Sequence, residues 1–211
     1  MARTAVAPER AKLMTLEEWA ALDEDIEGEL VDGVLEKEEM PNFLHEIVVS
    51  WLIATLRPWA RRRSGFVVGS EAKIAVGPRR GRKPDLSVFL PPSLPALSDS
   101  LAHMPPHLVV EIASPRPRDV RRDRIEKVAD YARAGVRYYC IVDPQLRSLE
   151  VYELGSDHRY TVALSAADGR VRVPGCPGLV LDLSALWGEV DEAERAHVRA
   201  TLCANVGETV G

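Results

Sequence analysis

Two carboxylates carry the chemistry that this sequence offers. Glu111 interrupts Leu108-Val109-Val110-Glu111-Ile112, inside a run from His107 to Ala113 that otherwise reads as a strand covered on both faces. A carboxylate there is costly to desolvate unless it is paired or coordinates a cation. Asp85 has the same character at the start of Leu86-Ser87-Val88-Phe89-Leu90, and Pro84 before it removes a backbone donor. Two acidic residues at the ends of neighbouring strands can hold one hard divalent cation. Mg²⁺ (or Mn²⁺) suits such a pair, taking one or two carboxylates and keeping several waters. The chemistry this points to is metal-assisted phosphodiester hydrolysis by a metal-activated water. Singly, each residue also fits a blander role, a salt-bridged strand carboxylate or an ordinary Pro-Asp turn.

The elements that must position these residues follow from patterning. Thr15 with Glu18 three residues on forms a capping box and opens a helix. In Glu29-Leu30-Val31-Asp32-Gly33-Val34-Leu35-Glu36 an Asp-Gly pair between short apolar runs predicts a hairpin. Asn42 caps a second helix over 43–57, with His45, Val48, Val49, Leu52 and Leu56 on one face and Pro58 as its end. Strands are expected at 66–68, 71–76, 85–90, 107–113, 137–142, 149–154, 159–164 and 179–183. Gly77-Pro78-Arg79-Arg80-Gly81 reads as a turn, and 91–106 as a surface loop. A third helix runs from near Asp119 to Gly135, with an apolar stripe of Ile125, Val128, Ala129 and Ala132. Lying between two buried-type strands, it implies a parallel crossover. The fold class expected is α/β (α+β), a central mixed β-sheet flanked by helices. Residues 1–14 are expected as a flexible arm, 15–187 as a single domain, and 188–211 as a tail holding a short helix.

Composition narrows the class. The 46% hydrophobic content supports a core without disulfide or metal staples, and the three scattered cysteines, Cys140, Cys176 and Cys203, read as free thiols. The apolar stretch at 47–56 is too short to cross a bilayer, and the start lacks a signal-peptide core, so a cytoplasmic protein is expected. A net charge of −5 argues against a general nucleic-acid coat protein. Basic residues nevertheless cluster at 61–63, at 79–83 and at 116–127, where six face three acidic ones (Asp119, Asp123 and Glu126). No phosphate-cradling glycine loop, nucleophile elbow or H-E-x-x-H motif is present.

Taken together, Lys83-Pro84-Asp85, Val109-Val110-Glu111-Ile112-Ala113-Ser114-Pro115, Asp123, Lys127, Tyr131, Gly135-Val136, Tyr138-Tyr139 and Val142-Asp143 come in an order that resembles the bacterial Uma-two family of restriction-endonuclease-like proteins. Glu29-Leu30-Val31-Asp32-Gly33 and His45 fit it too, so the resemblance spans about residues 14–187. It implies a PD-(D/E)xK nuclease core, with Asp85 and Glu111 binding the metal and Glu29 completing the acidic shell. It implies DNA as substrate. Enzymes that cut both strands usually present two copies of the site, which makes a homodimer the expected assembly.

The sequence departs from the parent pattern at Ala113, where the superfamily has a lysine. The resemblance points instead to Lys127, with Lys73 as a substitute. A lysine beside the scissile phosphate would orient the attacking water and offset developing charge. Lys127 lies roughly 150° from the centre of its helix's apolar stripe, at about 100° per residue. Either that helix turns its polar side to the cleft, or Lys127 is solvated. Ser114 at the strand end, with Arg82, Lys83 and Arg116, would contact phosphate. His45 fits a satisfied buried histidine, and the resemblance alone keeps it as a candidate. Tyr131, Tyr138 and Tyr139 read as packing residues with hydroxyls on polar neighbours, and Trp19, Trp51, Trp59 and Trp187 as core or interface anchors. The rival expectation to an enzyme is a module that kept the fold and lost the chemistry. A hydrolase of another phosphoester also fits the two carboxylates.

Overall fold

The protein is described as a computed structural model covering residues 13–23, 25–37, 40–114 and 122–207, without side-chain detail at 123 and 202–207. Most of the expected arm, 1–14, lies outside these residues, as do Asp119 and Arg116.

Strands β1 (Glu29–Val31) and β2 (Val34–Glu36) form the expected hairpin, with Leu30 opposite Leu35. Asp32 and Gly33 take the two positive φ angles, 51° and 83°, that a type I′ turn requires. Helix α1 (Leu16–Ala20) carries its capping box as predicted. Helix α2 runs from Phe43 to Arg61, beyond the expected end, with Pro58 inside it. Its last turn holds because Trp59 and Ala60 are buried and the Trp59 indole donates to the Pro177 carbonyl at 3.0 Å.

Six strands make the main sheet, in the order β11 (Tyr160–Ala166), β10 (Ser148–Leu154), β9 (Tyr138–Asp143), β8 (Leu108–Ile112), β6 (Leu86–Phe89) and β3 (Phe66–Val68). Only the β8–β9 pair in it is parallel, which is the predicted crossover. A second sheet pairs β2, β1, β5 (Arg80–Arg82), β4 (Lys73–Gly77) and β7 (Leu101–Ala102). Two of its members correct the sequence expectation. Arg80–Arg82 is a strand rather than part of a turn, and the 91–106 loop contains β7, buried and parallel to β4. A small hairpin, β12 (Arg170–Arg172) with β13 (Val180–Asp182), leads into helix α4 (Leu183–Gly207).

Helix α4 is the second correction. The buried residues Leu183, Leu186, Trp187 and Val190 keep helical spacing through position 187, so the helix is longer than the short one expected in the tail. Together with Val48, Leu52 and Leu56 of α2, they cover one face of the main sheet. The other face packs on Ile74 and Val76 of the second sheet and on the crossover helix.

That crossover begins as a π-helical turn (Arg122–Lys127) and continues as α3 (Val128–Ala134), stopped by Gly135 at φ 83°. Its orientation decides between the two expected alternatives. Ile125 is 61% exposed and Ala129 is exposed, whereas Lys127, Asp130 and Tyr131 are buried. The polar side of this helix faces the protein interior.

Candidate active site

Antiparallel pairing places Leu86 opposite Val110, and Asp85 and Glu111 are the next residues along the two chains. Both carboxylates, with Lys127, line one cleft of about 380 Å³. The Glu111 side chain is 3% exposed and the Asp85 side chain 18%.

Glu111 is held by the crossover helix. Lys127 Nζ donates to its Oε2 at 2.9 Å, and the Tyr131 hydroxyl donates to Oε1 at 2.6 Å. Burial first, and then the Glu111 and Glu29 charges, push the Tyr131 hydroxyl well above its ordinary pKa, so it stays a neutral donor. Charge-assisted bonds of this kind are the strong ones, and losing Lys127 would leave a buried carboxylate uncompensated at a cost of about 3–5 kcal/mol.

Asp85 is held from the opposite helix layer. The Ile112 amide donates to its Oδ2 at 2.7 Å, and His45 Nε2 lies 3.0 Å from Oδ1. Asn42 caps the first turn of α2 by accepting from the His45 amide at 2.9 Å, which fixes where the ring emerges. Burial opposes the charge on Asp85, but the bond and charge of His45, then Lys127 and the Ile112 amide, outweigh it and lower its pKa. Burial likewise opposes the His45 imidazolium, yet Asp85, helped by Glu46, raises its pKa. His45 is therefore a direct partner of Asp85 at the cleft, a step beyond a merely satisfied histidine.

Behind Lys127 lies a buried ion network. Glu29 Oε1 is 3.7 Å from Lys127 Nζ and accepts from the Lys83 amide at 2.9 Å, while Arg82 Nη1 donates to Glu29 Oε2 at 2.6 Å. Arg82 also grips Asp130 Oδ2 through Nε at 2.8 Å and Nη2 at 2.6 Å. Arg80 Nη1 bonds both Asp130 oxygens, and its Nη2 reaches Asp32 at 2.6 Å. Glu29 and Arg82 are 1% and 0% exposed. Burial opposes both charges; Lys127 and Arg82 hold the Glu29 pKa low, and Glu29 and Asp130 raise that of Arg82.

The predicted site residues therefore divide. Asp85, Glu111, Lys127, Lys83 and Ser114 all line the cleft. Arg82 does not: the expectation that it contacts substrate is corrected, because its guanidinium is fully buried between two carboxylates. Lys73 sits elsewhere, donating to the Trp19 and Ala20 carbonyls at the end of α1, whereas Lys127 lines the cleft. Asp130 and Arg80 went unseen in the sequence. Their only signal was period-two spacing of Arg80 and Arg82, hidden by an apparent turn.

For a divalent cation, the cleft offers the carboxylates of Asp85 and Glu111. Among the described residues no group of three or more His, Cys, Asp and Glu side chains is arranged to hold a metal. Two carboxylates completed by water match the habits of Mg²⁺, and each carboxylate oxygen has two lone pairs, so one donor need not displace the ion.

No curated protein matches this chain. A chain described as "a putative nuclease belonging to DUF820", from Anabaena variabilis ATCC 29413, matches it with a TM-score of 0.68 and 21% identity, over 83% of this chain and 98% of that one. The likeness is one of fold, a restriction-endonuclease-like mixed sheet flanked by helices. The model of the Uma2 family, described as "Putative restriction endonuclease", matches residues 13–184. With that match over most of its length, this chain belongs to the Uma2 family.

Proposed function

We propose that the protein is a Mg²⁺-dependent (or Mn²⁺-dependent) endonuclease that hydrolyses DNA phosphodiester bonds, working as a homodimer. The observation that supports this most is that Asp85, Glu111 and Lys127 line one cleft, at the joined ends of β6 and β8. Asp85 and Glu111 would hold the cation. When bound, it supplies Lewis acidity toward water and toward a phosphoryl oxygen. Tyr131 and Lys127 fix the Glu111 carboxylate, while His45 and the Ile112 amide fix that of Asp85. The Lys127 ammonium offsets negative charge developing on the phosphate. Lys83, Ser114 and Arg116 would contact neighbouring phosphates.

The test is cleavage of supercoiled and linear DNA by purified protein with Mg²⁺, Mn²⁺ or chelator, with light scattering to weigh the species. Asp85→Asn and Glu111→Gln should each lower cutting at least a hundredfold while the circular dichroism stays native. Activity retained in both variants refutes the assignment.

A second reading has its own observation. Both carboxylates already carry cationic partners, Lys127 and His45, and position 113 is alanine. A DNA-binding or regulatory module without catalysis would bind DNA in chelator and cut under no divalent ion.

A further inference from the structure

Glu29 has the family-implied place in an acidic shell, yet its surroundings describe a different duty. It is absent from the residues lining the cleft, and Arg82 and the Lys83 amide hold it in the buried ion network behind Lys127. We propose that Glu29 is not a ligand for the cation: with Arg82 and Asp130 it is a positioning device that presents the Lys127 ammonium to Glu111.

The geometry divides the labour. Lys127 stands between two carboxylates, 2.9 Å from Glu111 and 3.7 Å from Glu29. Which one it serves depends on how well the other is neutralised. Arg82, at 2.6 Å, satisfies Glu29 and leaves Lys127 to the nearer bond. Asp130, three residues from Lys127 on the crossover helix, takes a two-pronged grip from the same guanidinium. One arginine therefore sets both the charge felt by Lys127 and the depth of the helix that carries it. A planar, always-charged fork can hold two carboxylates at once; a lysine ammonium cannot do so with the same geometry. The arrangement also answers how a helix with its polar side inward stays docked, since Arg80 and Arg133 neutralise Asp130 further.

The inference takes its catalytic meaning from the proposed nuclease reading, and the experiment separates the two. Full-length wild type, Arg82→Gln, Arg82→Lys, Glu29→Gln and the double variant Arg82→Gln/Glu29→Gln are compared by Mn²⁺ calorimetry, by kcat and KM on DNA, and by crystal structure. Glu29→Gln should keep Mn²⁺ affinity within threefold, whereas Glu111→Gln should lose at least tenfold. Arg82→Gln should lower kcat at least tenfold with KM within threefold, and its structure should show Lys127 moved toward Glu29, beyond 3.5 Å from Glu111. The double variant, which removes one charge of each sign, should return Lys127 to Glu111 and recover most of the lost kcat. If Arg82→Gln does not fold, Arg82→Lys and the double variant decide: the first should show the Lys127 displacement and the second should not.

A tenfold loss of Mn²⁺ affinity in Glu29→Gln overturns the proposal, and so does Lys127 unmoved in both arginine variants. Wild type that neither binds Mn²⁺ nor cuts DNA sinks the nuclease reading instead. The position of Lys127 in the variant structures then still decides the inference.

Discussion

His45 and Asp85 form a pair whose value depends on pH, and the sign can be worked out from each partner. The raised His45 pKa means its contribution is complete below the unfolded value, about 6.5, and fades as pH rises through the folded one. The lowered Asp85 pKa means its contribution is present above about 4 and is lost as pH falls through the folded value. In metal-free buffer, His45→Gln should therefore cost about 1.5–3 kcal/mol near pH 6, as hydrogen bonds between charged groups do. Urea midpoints of the two proteins should converge toward pH 9. A gap that stays constant from pH 5 to 9 would show that the charge on His45 contributes nothing. The two carboxylates were legible in the sequence because each breaks an apolar strand. Their partners were not, because His45 lies 40 residues before Asp85 and shows only its place on an apolar helix face.

At the level of elements, β5 shows how a short strand can organise a site. Arg80 and Arg82 point to Asp130, so Gly81 between them faces the other way, toward Trp19. A Cβ at Gly81 would lie 2.2 Å from the Trp19 ring, and that tryptophan is fully buried with its indole bonded to the Gly28 carbonyl. Gly81→Ala should destabilise the fold by about 1–3 kcal/mol through overpacking. Gly69→Ala, where an added Cβ meets nothing within 4 Å, should change it far less. Equal denaturation midpoints for the two variants would refute the packing argument. The Asp-Gly hairpin was readable because its turn chemistry is local. The strand nature of Arg80–Arg82 was not, because Gly-Pro-Arg-Arg-Gly carries every local mark of a turn and pairing partners at Leu30 and Ile74 decide otherwise.

Across the whole molecule, sequence patterning captured the parallel crossover, the mixed sheet and the family, since these rest on strong apolar runs and on motif order. It missed the second sheet's extent and the length of α4, where apolar spacing continued past an assumed boundary. No helix among the described residues is long and apolar enough to cross a membrane. The orientation of the crossover helix stayed open for a reason of its own: Ile125 and Ala129 of its apolar stripe reach solvent, and Lys127 and Asp130 meet partners 16 and 48 positions away, which no local pattern reveals. That inversion has a consequence for assembly. Tyr131 and Val128 give this helix apolar contacts, but Lys127 and Asp130 are costly to bury until they are paired, so it should dock late, after β1 and β5 have brought Glu29 and Arg82 together. In native-state amide exchange, residues 128–134 should open at a lower free energy than β8 and β9, the strands they join. Exchange that proceeds in step with those strands would mean the connecting segment belongs to the same cooperative unit from the outset.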